Sequence, residues 1–582
     1  EMLRSLVGSE MCIRDSGYIR GIVSMNLYKL ALGGLNASQA GLATTSHNIN
    51  NATTVGYNRQ RVMISSAGAQ ATSAGYIGRG VQVDTVVRSY DSFLYKQLVG
   101  AQGSGAQLQA QFDQISQVNN LFADRTVGIA PGLANFFTTM NTVASKPADP
   151  AARQDLLGKA NSMATQIRSA YQEMQNQRLG LNTQISTTVD QVNSYLTRID
   201  DLNTQISTAR AKAGGNPPND LMDQRDQAVS ELNQLIGVTT YEQGDKINIS
   251  LASGGQALLS GQTIYPLQAV SSSKDVSRTV IAYTLPAGSG GKTVAVELND
   301  AEVTGGKLGG LLQFRATSLD VMQAQLGQMA VGLAMSFNDQ HKLGLDAKGN
   351  PGTDFFSVGQ PQGVPNANNK SGAQISGTFT NVNNINAKDY EIAFDGTNYM
   401  VTRLPEGTQV YNGPANGTPP TATLNLDAEM GVTLTIDAPP QAGDKWSLSP
   451  TRDAARDINV LITDPTKIAA ADADGGDTNG KNALKLAQLQ TSKVLGHGTM
   501  SINEMFSQVV NTVGVQTQQI KSANTAQANL ITQKLEAQQA VSGVNLNEEY
   551  VSLSLYQEQY QASARIIDVA STLFDTLLGL RG

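Results

Sequence analysis

Apolar side chains recur along this chain with two rhythms, one of seven residues and one of two, and the rhythms occupy separate blocks. In 26–49, Tyr28, Leu32, Leu35, Gln39, Leu42, Ser46 and Ile49 alternate at steps of four and three, with Leu27 and Leu30 beside them. This spacing draws one stripe along an α-helix, about 35 Å long at 1.5 Å per residue. Residues 48–57 then bring Asn, Thr and Gly, which favour turns. Segments 59–66 and 76–88 alternate enough for strands, with Gly75, Gly78 and Gly80 as breakers. Residues 90–122 read as helix again. The longest periodic stretch, 156–209, keeps the four–three rhythm from Leu156 to Leu181, takes a four–four step to Ile185, and resumes from Thr188 to Ala209. A strict heptad winds a left-handed coil and the extra step locally unwinds it. Gly214, Gly215, Asn216, Pro217 and Pro218 end this rod. A shorter helix follows, capped by Asn219 or Asp220, with Leu221, Ala228, Leu232 and Leu235 inward.

From Gly237 the period changes to two. Residues 238–304 and 350–450 read as antiparallel strands separated by Gly, Asn and Pro turns, among them 421–426 and 431–437. A helix over 307–342 divides the two β blocks. Residues 480–540 are helical and Gln-rich. The last helix, 547–578, carries a stripe of Leu546, Tyr550, Leu553, Gln557, Tyr560, Ala564, Ile567, Ser571, Phe574 and Leu578. The expected class is therefore α+β multidomain: a terminal α-helical coiled-coil core and a helical rod, with inserted antiparallel β domains. The expected division is a leader at 1–24 and an N-terminal helix with strands of an inner core at 25–125. A long helical rod domain at 126–237, a β-rich segment at 238–306 and a further rod-domain helix at 307–345 follow. An outer β domain at 346–460, a helical return at 461–545 and a C-terminal core helix at 546–582 complete it. The simplest arrangement pairs the two chain ends and lets the middle project. Isolated helices are marginal in water, so each end needs the other, or a neighbouring subunit.

Composition narrows the chemistry. Aromatic residues are 5% of the chain, with Trp446 the single tryptophan, which suits long helices packed through small side chains. Acidic residues (48) exceed basic ones (41), so phosphate neutralisation does not drive this chain towards nucleic acid. No apolar run approaches the ~20 residues of a membrane span. Cys12 is the single cysteine, which excludes intrachain disulfides and Cys-based zinc sites. Residues 1–24 scatter Arg4, Glu10, Arg14, Asp15 and Arg20, unlike a secretory signal. The periodicity begins at Met25, and 1–24 read as upstream or adaptor sequence.

Candidate chemistry is sparse. His47, His341 and His497 lie far apart, with no H-E-x-x-H spacing. Asp472, Asp474 and Asp477, with Gly475, Gly476 and Asn479, resemble a calcium loop but lack its terminal bidentate Glu, so they read as a polar turn. Lys307 is followed by Leu308 where a P-loop needs Ser or Thr, and Gly75–Gly80 has the wrong order for a dinucleotide fingerprint. There is no G-x-S-x-G elbow. No enzyme and no cofactor is expected. Glu548 and Glu549 sit in the first turn of the last helix, where the helix dipole favours negative charge.

The ends carry more specific signals. Residues 31–40 (Ala-Leu-Gly-Gly-Leu-Asn-Ala-Ser-Gln-Ala) and 45–51 (Thr-Ser-His-Asn-Ile-Asn-Asn) resemble a signature shared by flagellar axial proteins, the family of rod, hook, junction and flagellin-like subunits. His47 stands where Asn is more usual. Asn51 with Gly56, Tyr57, Arg59 and Gln60, then 78–83, 88–94, 221–226 and 305–315, are similar to the hook-associated protein 1 branch of that family, at the hook–filament junction. So are 542–549 and 560–565, with Asn547 in place of the commoner Asp. The resemblance is weakest over 345–450. It implies a structural subunit outside the cell, exported unfolded through the flagellar channel without a cleavable signal. It also implies a helical or ring assembly with copies of itself, contacts to hook protein and to a second hook-associated junction protein, and an export chaperone on the C-terminal helix. The expected assembly interface is Leu32, Leu35, Leu42 and Ile49 on the first helix, with Leu546, Tyr550, Leu553, Tyr560, Ala564, Ile567, Phe574 and Leu578 on the last. Hook protein or a flagellin-like subunit is the alternative. An adhesin or enzyme in 350–450 is a more distant one.

Overall fold

In the computed structural model the described residues are 27–72, 75–123, 128–285 and 294–579. The leader expected at 1–24 lies outside them, as does the side chain of Leu578. Helix α1 covers 27–50. A two-stranded ribbon follows: Gln60–Ser66 pairs antiparallel with Val81–Arg88, continued by Ala69–Thr72 against Gly75–Gly78.

The rod is built from α2 (Ser92–Ala123), α3 (Ile129–Ser145), α4 (Pro150–Lys212) and α5 (Asn219–Leu235). Helix α4 is 63 residues long, or ~95 Å. It starts before the periodic stripe because Asp149 caps it, accepting from the Ala151 N–H at 2.9 Å, with Pro150 in the first turn. Leu156, Ala160, Met163, Ile167, Ala170 and Met174 are buried, and so are Leu181, Ile185, Val192, Ile199 and Ile206. The four–four step is thus absorbed within one continuous helix. Helix α3, which falls where the sequence reading assigned no helix, buries Ile129, Leu133, Phe136, Phe137, Met140 and Val143 against α4. The cap expected on α5 is absent: Pro218 holds the N-cap position without a side-chain bond. Asn219 instead donates to Val86 O at 2.9 Å, and Asp220 accepts from Gln60 Nε2 at 2.7 Å.

The β-rich segment forms a four-stranded antiparallel sheet over 238–264 and a three-stranded one from Leu267–Ser271, Thr279–Leu285 and Val294–Glu297. The helix expected over 307–342 is α6 (Gly306–Phe314) and α7 (Asp320–Lys342), joined by a π-turn at Arg315–Leu319. The outer domain is an eight-stranded antiparallel sheet over 362–448. In it Ala422–Leu426 pairs with Val432–Ile436 across the short helix α8 (Asp427–Met430). Helices α9 (Lys481–Gln488), α10 (Ile502–Ser542) and α11 (Leu546–Gly579) return to the base. A Ser501–Glu504 capping box starts α10, which packs along α2.

Two cores result. One runs through the rod and the β-rich segment from Ala110 to Val513. The other lies inside the outer sheet around Trp446, whose indole N–H donates to Ala373 O at 2.9 Å. In the calcium-like loop the Lys481 ammonium lies 3.2 Å from Asp472 and 3.0 Å from Asp474, so a side chain neutralises those carboxylates.

Candidate assembly interface at the paired chain ends

Helices α1 and α11 pair antiparallel. Asn48 donates to Glu549 at 3.0 Å. A Cβ on Gly41 would come within 2.5 Å of the Tyr556 ring, and one on Gly34 within 2.7 Å of Ser563 Oγ. Each step of seven up α1 matches a step of seven down α11, so the register is heptad-like. The seam is not the apolar stripe. It is the neighbouring one: Ala31, Gly34, Ser38, Gly41, Thr45 and Asn48, most of them buried. On α11 the matching buried residues are Glu549, Ser563 and Ala570, with Tyr556 half-buried.

The expected interface residues therefore sit one position, about 100°, round each helix. Leu32 is 40% exposed, and Leu35, Leu42 and Ile49 are half-buried. Leu546, Tyr550, Tyr560 and Phe574 are exposed, and Leu553, Ala564 and Ile567 half-buried. The intrachain seam thus runs along the row beside the apolar stripe. Small side chains let the two backbones approach where leucines would hold them apart. Helix α11 adds a second exposed stripe of Val551, Leu555, Val569 and Leu573.

The foot of the pair is polar. The Arg59 guanidinium meets Glu549 at 2.6 Å and Glu548 at 2.8 Å. Its backbone N–H donates to Ser542 O at 2.9 Å, tying the loop to the end of α10. Asn48 accepts from Tyr57 O–H at 2.7 Å and from the Gln60 N–H at 2.9 Å, and donates to Gln60 O at 2.9 Å. His47 Nδ1 lies 3.0 Å from the Tyr57 hydroxyl. Asn51 turns back onto α1, its amide donating to His47 O at 3.0 Å. Gly56 has φ +81°, a left-handed conformation that lets the chain reverse against Gln227. Burial, with the carboxylates of Asp220, Asp223 and Glu549, pushes the Tyr57 phenol well above its ordinary pKa.

A second layer joins this foot to the rod. Asp223 on α5 accepts from the Asn58 N–H at 2.9 Å, from Asn58 Nδ2 at 2.6 Å and from Arg88 at 2.6 Å. Arg88 also reaches Asp226 at 2.8 Å and stacks 4.2 Å over Tyr90. Burial raises the pKa of both Asp223 and Asp226, against the opposing pull of Arg88. Burial alone would lower Arg88, but Asp226 and Asp223 outweigh it and hold its pKa up. Asn51, Gly56, Tyr57, Arg59 and Gln60 thus converge on one knot. Sequence reasoning missed Asn48, Gly41 and Asp223 as its fixed points. The available signal was the row of small residues at heptad spacing beside the leucines.

A family model described as flagellar hook-associated protein FlgK helical domain matches residues 115–356. Flagellar hook-associated protein 1, D2-like domain matches 364–450, and flagellar basal body rod FlgEFG protein C-terminal matches 537–580. The flagellar hook-associated protein 1 of Salmonella typhimurium is 39% identical over 568 residues, covering 96% of this chain and 100% of the relative. That of Escherichia coli K12 is 38% identical over 559 residues, with 96% and 100% covered. Among solved structures, the flagellar hook junction protein FlgK from Burkholderia pseudomallei is similar with a TM-score of 0.70 and 30% identity. The match covers 77% of this chain and 100% of that one.

Proposed function

The chain belongs to the flagellar hook-associated protein 1 family, and we propose that its paired terminal helices form a wall shared between neighbouring copies, with the rod and outer domain arranged around it. It is a structural subunit of the flagellum at the junction of hook and filament. The observation that carries the proposed mechanism is the division of labour on α1 and α11. Small and polar residues fill the intrachain seam, while the apolar stripes beside it are left exposed or only half-buried. Leaving such rows exposed is unfavourable by roughly 25 cal/mol per Å². Contact with the same helices of an adjacent copy removes that cost. A head-to-tail contact whose rotation does not close generates a helical tube.

In this reading the interface is Leu32, Leu35, Leu42 and Ile49 with Leu546, Tyr550, Leu553, Tyr560, Ala564, Ile567, Phe574 and Leu578. The motif residues Asn51, Gly56, Tyr57, Arg59 and Gln60 act within one chain, setting the angle at which the helix pair leaves the rod. The domain division of 25–125, 126–237, 238–306, 307–345, 346–460, 461–545 and 546–582 is kept as a proposal. Hook protein on one side, a second hook-associated protein on the other, and an export chaperone holding α11 before assembly complete the scheme. Export proceeds through the flagellar channel. The relatives are flagellar structural proteins, and no catalytic step is assigned.

Removing 546–582 tests the scheme. The truncated chain keeps its rod core and outer sheet, so it remains soluble and β-containing, yet it fails to fill the junction in a deletion strain. Flagellin then escapes into the medium from intact hooks. A truncated chain that restores filaments overturns the wall model.

A further inference from the structure

The outer domain is joined to the rod by few contacts. Its core around Trp446 is separate from the main core. Between them lies a small apolar cluster of Val331, Ile385 and Ala454. Hydrogen bonds also cross between the two bodies. Gln328 Nε2 donates to Ile385 O at 2.7 Å, the His497 N–H to Asn383 O at 2.8 Å, and the Ala367 N–H to Ser273 O at 2.8 Å. His497 holds a left-handed φ of 59°, unusual for a residue with a side chain. Beside this junction the two bodies face each other across a cleft of about 610 Å³, which Gln328 also lines. Ala316, Thr317 and Val321 form one wall, and Lys388, Leu404 and Pro405 the other.

The rod wall of this cleft is rigid. The π-turn bulges Ala316 and Thr317 outward. Beneath it the buried Arg315 is tied to Asp300 at 2.8 Å and to Thr279 O at 2.5 Å. Alternating charges line the hinge side. Arg178 of α4 and Arg278 of the β-rich segment both hold Asp320, each at 2.6 Å. Arg452, in the linker leaving the outer sheet, holds Asp275 at 3.0 Å. The outer domain's own member is Asp389. It lies 3.9 Å from Arg452 and accepts from Ser449 Oγ, which in turn accepts from Arg452. Asp389 is 41% exposed, whereas Asp275 and Asp320 are 10% and 11% exposed.

This asymmetry decides which contact yields. Separating a buried ion pair strands a desolvated charge. Separating an exposed one returns its carboxylate to water at little cost. We infer that the outer domain, 362–448, is a hinged body that swings over this cleft, with Arg452 as pivot and Asp389 as latch. Asp275 keeps Arg452 on the base throughout. Closure carries Leu404 and Pro405 towards Ala316 and Thr317, which act as the stop. The motion belongs to a single chain and does not depend on how copies assemble.

Spin labels on the full-length chain test it. Cys12→Ser removes the chain's single thiol, and Thr183→Cys on α4 with Thr418→Cys in the outer-domain loop before Ala422–Leu426 receive the labels. The distance distribution is then measured by pulsed electron spin resonance, with and without Asp389→Asn. The expected result is that Asp389→Asn broadens or displaces the distribution, while Lys388→Gln leaves it unchanged. Lys388 lines the same cleft but pairs within the outer domain, with Glu406. An Asp389→Asn distribution that superimposes on the unmodified one overturns the latch. So does an equal response to Lys388→Gln.

Discussion

Asn48 shows how much of this architecture rests on single polar groups. Its amide makes four hydrogen bonds, two as acceptor from Tyr57 and Gln60 and two as donor to Gln60 and Glu549. That is the full capacity of an asparagine side chain. The end of α1, the loop just after it and the start of α11, 501 residues on, are therefore bolted at one atom group. Asn48→Ala leaves the buried Glu549 carboxylate and the Gln60 backbone short of partners, a cost of roughly 1–3 kcal/mol. The loss falls on the α1–α11 pair, because the rod core does not touch Asn48. Hydrogen exchange checks this: amides in 546–579 lose protection by about ten- to a hundredfold, while those of α4 are unchanged. Asn48→Asp is expected to be worse, since it sets a second carboxylate against Glu549. The motif residues around Asn48 were legible as a local pattern. Their partners were not: Arg59 finds Glu549, and Asn58 finds Asp223, and nothing local in a sequence encodes a polar contact across that separation.

At the scale of the element, α4 and α1 carry the same seven-residue rhythm and use it differently. Helix α4 buries the stripe its periodicity marks, from Leu156 to Ile206, because rod and sheet elements surround it. Helix α1 buries the adjacent row, leaving Leu32 exposed and Leu35 and Leu42 only half-buried. Periodicity fixes that stripes exist and that helices pair. Side-chain volume decides which of two neighbouring stripes faces the partner. Helix α3 has apolar residues at helical spacing, 129, 133, 136, 137, 140 and 143, but they lie in a stretch between 122 and 156 to which the sequence reading assigned no helix. Opposite outcomes follow for two substitutions on α1. Gly41→Leu drives a side chain into the Tyr556 ring, already 2.5 Å from where a Cβ would stand. It costs about 1–3 kcal/mol in the helix pair, read as lower thermal resistance of 27–50 and 546–579 to proteolysis. Leu32→Gln removes apolar surface from the open stripe and leaves that resistance within about 0.5 kcal/mol, but it impairs filament formation in a complementation assay. If Leu32→Gln instead unfolds the pair and spares assembly, the assignment of the two stripes is reversed.

Across the whole molecule, stability divides by pH into two windows set by groups in different places. His341, in the last turn of α7, lies where the rod meets the loop at 345–353 and the return at 461–471. Its Nε2 accepts from the Ala469 N–H at 2.9 Å and its Nδ1 bonds Thr353 O at 2.7 Å, so the neutral ring satisfies both neighbours. Burial lowers its pKa. A histidine lowered on folding contributes stability above its unfolded value, about 6.5, and loses it as pH falls through the folded value. Asp320 and Asp275 behave alike in a lower window. Burial would raise both, but Arg278, Arg178 and Arg452 outweigh it for Asp320, and Arg452 with Ser277 for Asp275, so both are lowered. Their contribution is present above the unfolded carboxylate value of about 3.9 and disappears below it. Thermal denaturation is therefore expected to weaken first between pH 7.5 and 5.5, at the His341 end of the rod. His341→Gln has a lower midpoint at pH 7.5, because two fitted hydrogen bonds are disturbed, yet a smaller drop on going to pH 5.5 than the unmodified chain. His47 and His497 are common to both proteins, so the difference between the two drops isolates His341. Equal drops would mean that the buried ring does not couple folding to protons, and that the rod tip is held by apolar packing, Phe337 against Phe355 with ring centroids 4.9 Å apart, whatever the charge on the imidazole.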